Sequence, residues 1–133
     1  MPKRTTATSP GARKVMKNTA FESTVASWLM WDGWQVFLPM LDHGHKTDIL
    51  ISDGPNYYRV QIKTVDDGLG EDQVVENRWA GSHCDVVVYF ARGSTWAYVA
   101  PAFEEKKRRL NHETHIRFSK SSKNEFLKAF HKL

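Results

Sequence analysis

TDILISDGPNYYRVQIKT, Thr47 to Thr64, reads as two short strands joined by a turn. Ile49, Leu50 and Ile51 form an apolar run, Asp53-Gly54-Pro55-Asn56 is dense in turn formers, and Tyr57, Tyr58, Val60 and Ile62 favour strand. A turn closed symmetrically about Gly54-Pro55 sets Asp53 opposite Asn56 and, further down the ladder, Asp48 opposite Gln61. Side chains alternate along a strand, so Gln61 and Lys63 share one face and Asp48 projects on the same side. An acid, an amide oxygen and an ammonium thus converge at the far end of one hairpin. Ile49, Ile51, Val60 and Ile62 point the other way, into a core.

Asp48 followed by Gln61-Ile62-Lys63 on the next strand resembles the PD-(D/E)XK nucleases, in which an Asp and an acid-x-Lys element on neighbouring strands bind divalent metal and cut a phosphodiester. Val60-Gln61-Ile62-Lys63-Thr64 is most similar to the branch that includes homing endonucleases of group I introns, where Gln replaces the second acid. The resemblance implies an α/β (α+β) fold with a restriction-endonuclease-like core, a central mixed sheet of four to five strands flanked by helices.

Composition is compatible with that expectation. A chain of 133 residues, 41% hydrophobic, suits one domain with a real core, and one Cys rules out a disulfide framework or a Cys-rich zinc site. No apolar run approaches the roughly 18 residues of a membrane span, and the N-terminus lacks the apolar segment of a signal peptide. A soluble, cytoplasmic protein is expected, with nucleoid-associated or viral-encoded settings also compatible. Charge is uneven: residues 1–17 carry five basic side chains and no acid, 101–133 carry nine basic against four acidic, and 18–100 carry five against eleven. Basic ends around an acidic centre suit phosphate at the edges and metal in the middle; a solvated surface with a basic tail accounts for charge equally well.

Residues 1–17 read as a flexible basic arm, and 18–133 as a single domain. A helix is expected from Thr19, where Thr19-Ala20-Phe21-Glu22 has capping-box spacing and Phe21, Val25, Trp28 and Leu29 recur on one face. Gly33 is placed to stop it. Glu22 has two readings: a cap for Thr19, or the first-helix acid that the resemblance implies for the metal site. Trp34 to Met40 reads as a first strand, followed by a polar loop, Asp42 to Lys46. His43 and His45 in that loop do not make a zinc site; they contact a nucleic-acid backbone or do nothing in particular.

After Lys63, Asp66 to Asp72 reads as a solvated acidic loop, and 73–79 as a short strand. Cys84 to Ala91 is the most apolar segment and reads as a buried central strand, turned through Arg92-Gly93-Ser94-Thr95 into Trp96 to Pro101. Arg78, Gly81 and Asp85 leading into one strand, with Tyr98, Val99 and Pro101 ending its partner, are also similar to the homing-endonuclease branch. The likeness therefore spans roughly residues 19–118. Cys84 reads as a small buried hydrophobe. From Ala102 a helical stretch is expected to carry Lys106 to Arg109, then an edge strand at Ile116 to Phe118, and a last helix capped by Ser122 with Phe126, Leu127 and Phe130 inward.

The resemblance implies Mg²⁺, with Mn²⁺ as a substitute. It implies Asp48 as primary ligand, Glu22 as a direct or water-mediated ligand, Gln61 as a neutral oxygen ligand and the Ile62 backbone carbonyl as a further one. Lys63 is the residue that orients or deprotonates the attacking water, so Glu22, Asp48, Gln61 and Lys63 form the catalytic set. Replacing an acid by Gln removes one negative charge and leaves the number of ions open. The expected activity is site-specific, homing-type cleavage of double-stranded DNA by a homo-oligomer. A Holliday-junction resolvase acting on branched DNA is the alternative within the fold, and a non-catalytic DNA-binding module is the alternative outside it. Phosphate contacts are expected from Lys3, Arg4, Arg13, Lys14, Lys17, Lys46, Arg78, Lys106, Lys107, Arg108 and Arg109.

Overall fold

A computed structural model describes residues 1–41 and 47–133. Its centre is a mixed sheet of six strands in the order β1-β2-β3-β5-β6-β8, two or one more than expected, because short edge strands close both sides. The strands are β1 (Gln35–Phe37), β2 (Ile49–Ser52), β3 (Tyr57–Val65), β5 (Val86–Ala91), β6 (Trp96–Pro101) and β8 (Ile116–Ser119). A separate ribbon pairs β4 (Val74–Glu76) with β7 (Lys107–Arg109). The α/β class read from the sequence stands.

Helix α1 (Pro10–Trp31) starts well before Thr19. Ser9 is its N-cap, accepting from the Ala12 N–H at 3.2 Å, and Pro10 occupies the first turn, where a missing N–H costs nothing. Thr19 is therefore mid-helix, its hydroxyl donating to the Val15 carbonyl at 3.0 Å. The capping-box reading of Glu22 falls with it. The first turns of α1, Pro10 to Lys17, belong to the stretch expected as an arm. At the other end the Gly33 N–H donates to Met30 O and the Trp34 N–H to Leu29 O, the crossed pair of a Schellman motif, with Gly33 at φ +98°. That use of the Trp34 N–H keeps Trp34 out of β1, which spans three residues and ends where Phe37 pairs with Leu50, rather than running from Trp34 to Met40.

The sheet separates two cores. On one face α1 and α2 (Lys123–Phe130) press Val25, Leu29, Phe126 and Phe130 onto Ile49, Ile51, Val60, Ile62, Val88, Phe90, Val99 and Phe118. On the other, Val75, Trp79, Phe103 and Leu110, from the ribbon and its flanks, cover Val65, Val87, Tyr89, Trp96, Tyr98 and Ala100. Strand β5 is buried along its whole length because both cores use it. Leu29 and Val25 are fully buried, each adding roughly 1.5–3 kcal/mol over an exposed position.

Two further expectations change. The stretch from Ala102 is not helical: Lys107 to Arg109 pair with β4, and Arg108 turns back to Glu105 and lies 4.7 Å over the Phe103 ring. The acidic loop is not merely solvated. Asp67 accepts from the Ser94 hydroxyl at 2.6 Å, while Glu71 accepts from Tyr98 and Arg117 at 2.7 Å each, so the crossover after β3 is tied to the far strands. Those hydrogen bonds hold both carboxyls below the usual carboxylate range. The last helix follows expectation: Ser122 caps it, accepting from the Glu125 N–H at 3.2 Å.

Candidate functional site

The hairpin register is the one the turn implied: Ile49 pairs with Val60 and Ser52 with Tyr57, and the paired run stops one step short of the expected Asp48–Gln61 pair. Asp48 ends the pairing: its N–H donates to the Val60 carbonyl at 3.1 Å, and its Oδ2 accepts from the Ile62 N–H at 2.7 Å. Beyond that point β3 has no β2 residue beside it. Backbone groups of alternate residues point to the same side of a strand, so the Ile62 carbonyl also faces the gap left by β2.

The gap is a recess of about 320 Å³ lined by Asn18, Glu22, Asp48, Ile62, Lys63, Thr64 and Arg92. Three elements supply these residues for separate reasons. Mid-helix on α1, Glu22 sits one residue past Phe21, whose ring stacks on Phe90 at 4.6 Å. Asp48 and Lys63 come from the hairpin. Arg92 follows β5, which runs parallel to β3 with Lys63 level with Tyr89 and Val65 level with Ala91. Thr64 donates to Asn18 Oδ1 at 3.0 Å, joining β3 to α1 between them.

Of the expected catalytic set, Glu22, Asp48 and Lys63 share this recess, as does Ile62. Gln61 is not part of the lining. Its side chain is 3% exposed, and its Oε1 has no hydrogen-bond partner among the described residues. Such an oxygen costs roughly 1–3 kcal/mol unless something meets it. Cys84 feels the same charges: burial first, then Asp85 and Asp48, push its thiol up to about 11, and Lys63 works against them. It is a thiol, not a thiolate nucleophile.

Among the described residues no group of three or more His, Cys, Asp and Glu side chains gathers for a metal. The recess instead offers two carboxylates, Glu22 and Asp48, and a strand residue, Ile62, whose carbonyl is a neutral oxygen, while the unmet oxygen of Gln61 is buried outside the lining. An all-oxygen set with few charges fits an ion of the Mg²⁺ kind, which keeps several waters, and does not fit zinc.

The expected phosphate contacts divide. Arg13, Lys14 and Lys17 line a hollow that adjoins the recess. Lys3 and Arg4 precede α1, Arg4 donating to Thr8 at 3.0 Å. Arg78 pairs with Glu76 at 2.9 Å, Arg108 with Glu105 at 2.7 Å, and Arg109 donates to the Asp72 carbonyl at 3.4 Å. Lys106 and Lys107 are exposed near the ribbon. Lys46, like His43 and His45, lies outside the described residues. Arg92, Asn18 and Thr64 are site residues that sequence reasoning missed. Arg92 in particular reads as a turn residue until the parallel pairing places it.

No protein-family model matches this sequence, and no curated protein does. Among solved structures, a bacterial homing endonuclease, I-Ssp6803I, matches with a TM-score of 0.55 at 21% identity, over 71% of this chain and 72% of that one. Archaeoglobus fulgidus Hjc, a Holliday junction resolvase from an archaeal hyperthermophile, matches with a TM-score of 0.45 at 14% identity, over 68% and 85%. The first likeness supports the restriction-endonuclease-like fold class. Among the described residues no helix is long and apolar enough to cross a membrane.

Proposed function

We propose that the protein is a metal-dependent endonuclease that hydrolyses phosphodiesters in DNA. The observation that carries this reading is the meeting of Glu22, Asp48, Ile62 and Lys63 in one recess beside a basic hollow. Fold likeness to I-Ssp6803I adds to it, and favours double-stranded DNA cut at defined sites, since that neighbour is named a homing endonuclease.

Glu22 and Asp48 would hold a Mg²⁺ ion, with the Ile62 carbonyl as a neutral ligand; Gln61 Oε1, buried outside the lining, would join them only after its side chain turned into the recess. When bound, the ion supplies charge neutralisation at the non-bridging oxygens and lowers the pKa of a water. Lys63 lines the same recess, so its ammonium can orient the attacking water and stabilise charge as it builds on the phosphate. Asp48 has a second duty: its bond to the Ile62 N–H fixes the strand carrying Lys63. Arg92 lines the same recess, and its guanidinium could hold a phosphate oxygen by a forked pair of hydrogen bonds. Gln61 in place of a carboxylate leaves the set one charge poorer, so the ion should bind weakly and Mn²⁺ should substitute.

One recess cuts one strand. Cleavage of both strands then calls for self-association, and an apolar border beside edge strand β1, with Leu38, Met40, Leu41 and Tyr57 exposed, is available for it. Light scattering with size exclusion tests that step.

The deciding experiment incubates the protein with linear duplex pools and with four-way junctions, in Mg²⁺ and in EDTA. Site-restricted, Mg²⁺-dependent duplex cleavage that Lys63→Met abolishes supports the reading. Paired nicks confined to junctions would move the substrate to branched DNA. Binding without cleavage in any divalent ion would reduce the protein to a DNA-binding module and defeat the mechanism.

A further inference from the structure

The recess continues into a second, basic hollow of about 250 Å³, lined by Pro10, Arg13, Lys14, Lys17, Asn18, Phe21, Thr64 and Arg92. Asn18, Thr64 and Arg92 border both spaces, and the Thr64–Asn18 hydrogen bond forms the sill between them. We infer that this hollow is a subsite for the nucleic-acid phosphate next to the one being cut, held by Arg92, Lys17 and Arg13, so that the strand leaves the recess along the first turns of α1. The inference rests on the nuclease reading and specifies how that site holds its substrate.

Three observations carry it. First, the lining contains four basic side chains and no acid, next to a recess that contains two carboxylates. An anionic ligand bridging the two would place its reacting group at Glu22 and Asp48 and its neighbour among the cations. Second, Arg13, Lys17 and Phe21 follow at helical i, i+4 spacing, so one stripe of α1 runs from the hollow to the sheet. Like charges at that spacing repel in the free protein, and a bound phosphate relieves the repulsion. Third, the floor is rigid. Phe21 stacks on Phe90, and Lys120 lies 5.6 Å over the Phe21 ring while donating to the Ala91 carbonyl at 2.9 Å. Lys120 thus adds a positive charge against Phe21, a lining residue of the hollow.

The subsite also revises which basic residues matter. The run at Lys106 to Arg109 looks stronger in sequence, yet Arg108 has a side chain only 15% exposed and is occupied by Glu105. Arg92, a lone basic residue in a turn, borders both spaces.

The test measures binding of a fluorescein-labelled DNA duplex by anisotropy across a salt series, in EDTA so that nothing is cut. Variants are Lys17→Ala, Arg92→Ala and their combination, with Lys128→Glu on α2 as a control for net charge. Counterion release predicts that each lost phosphate contact lowers the log–log salt slope by about 0.9 and weakens binding about eightfold near 0.1 M salt. Arg92→Lys should restore most of the slope, and circular dichroism with melting confirms that each variant is folded. Loss of slope in the variants but not in Lys128→Glu is the expected result, and it would stand even if Mg²⁺ cleavage were never seen. An unchanged slope in the double variant, with wild-type binding and cleavage intact, overturns the subsite and spares the nuclease reading. Failure of the wild-type protein to bind duplex overturns both.

Discussion

Replacing Asp48 by Asn and, separately, by Ala separates its two duties. The carboxylate accepts from the Ile62 N–H at 2.7 Å, a charge-assisted bond at the point where β2 leaves β3. Asn keeps an oxygen there, so Asp48→Asn exchanges a charged acceptor for a neutral one and should cost about 1 kcal/mol in stability. Asp48→Ala leaves the Ile62 N–H without that acceptor, at a cost of about 1–3 kcal/mol. If Asp48 also holds the cation, both variants should lose cleavage alike, because the amide carries no charge. A loss of about a hundredfold corresponds to about 2.7 kcal/mol of transition-state stabilisation, within what a metal contact supplies. Urea unfolding and nicking of a DNA duplex in Mg²⁺ give the two readings on the same samples. Asn cutting within a few-fold of wild type while Ala is inactive and unstable would mean that Asp48 is only a strand cap, and the proposed ligand set would be wrong.

Other perturbations have equally definite signs. Tyr89 is 2% exposed and its hydroxyl has no partner among the described residues, so Tyr89→Phe should leave the urea midpoint unchanged or raise stability by up to about 1–3 kcal/mol; a clear loss refutes this. His115 donates from Nδ1 to the Leu110 carbonyl at 2.7 Å, and burial, helped by Arg108 and His112 and opposed by that hydrogen bond and by Glu105, holds its pKa below the ordinary 6.5. The unfolded chain therefore takes up the proton first. Stability from this residue is full above about 6.5 and falls as pH drops towards the lower folded value, a trend that His115→Gln should flatten in urea midpoints taken across that range. Gly33 sits at φ +98° with open space where a Cβ would go, so Gly33→Ala should cost about 1–2 kcal/mol from backbone strain alone, and a neutral result would show that the helix end relaxes.

The parts of this protein that could be read from sequence are those whose physics is local. The turn at Asp53 to Asn56 fixes its own centre, and the register that pairs Ile49 with Val60 and leaves Asp48 just beyond the paired run follows by counting. Gly33 and Ser122 announce helix ends because their chemistry acts within a few residues. The start of α1 was also written locally, in Ser9-Pro10, but the Thr19 box imitates a cap and outcompetes it when no tertiary context is present. β7 was lost for the opposite reason. Lys106 to Arg109 have no strand preference of their own, and only their distant partners Val74 to Glu76 make them extended. Arg92 could not be placed at all without knowing that β5 runs parallel to β3. The acids at Asp67 and Glu71 look solvated until Ser94 arrives from the β5–β6 turn and Tyr98 and Arg117 from other strands.

The parallel pairing of β3 with β5 also orders the assembly of the molecule in time. A hairpin such as β2–β3 closes over a few residues and can form early, bringing Asp48 to Ile62 before much else has condensed. The β3–β5 pair must wait for residues 66–85 to carry the chain back along the sheet, and such non-local closure is what slows folding. Arg92 arrives with that late step, and Glu22 with the docking of α1 onto the finished sheet. A nascent or partly unfolded chain would thus hold Asp48 beside Ile62 while Glu22 and Arg92 are still elsewhere, so on the proposed reading competence to cut would coincide with completion of the fold.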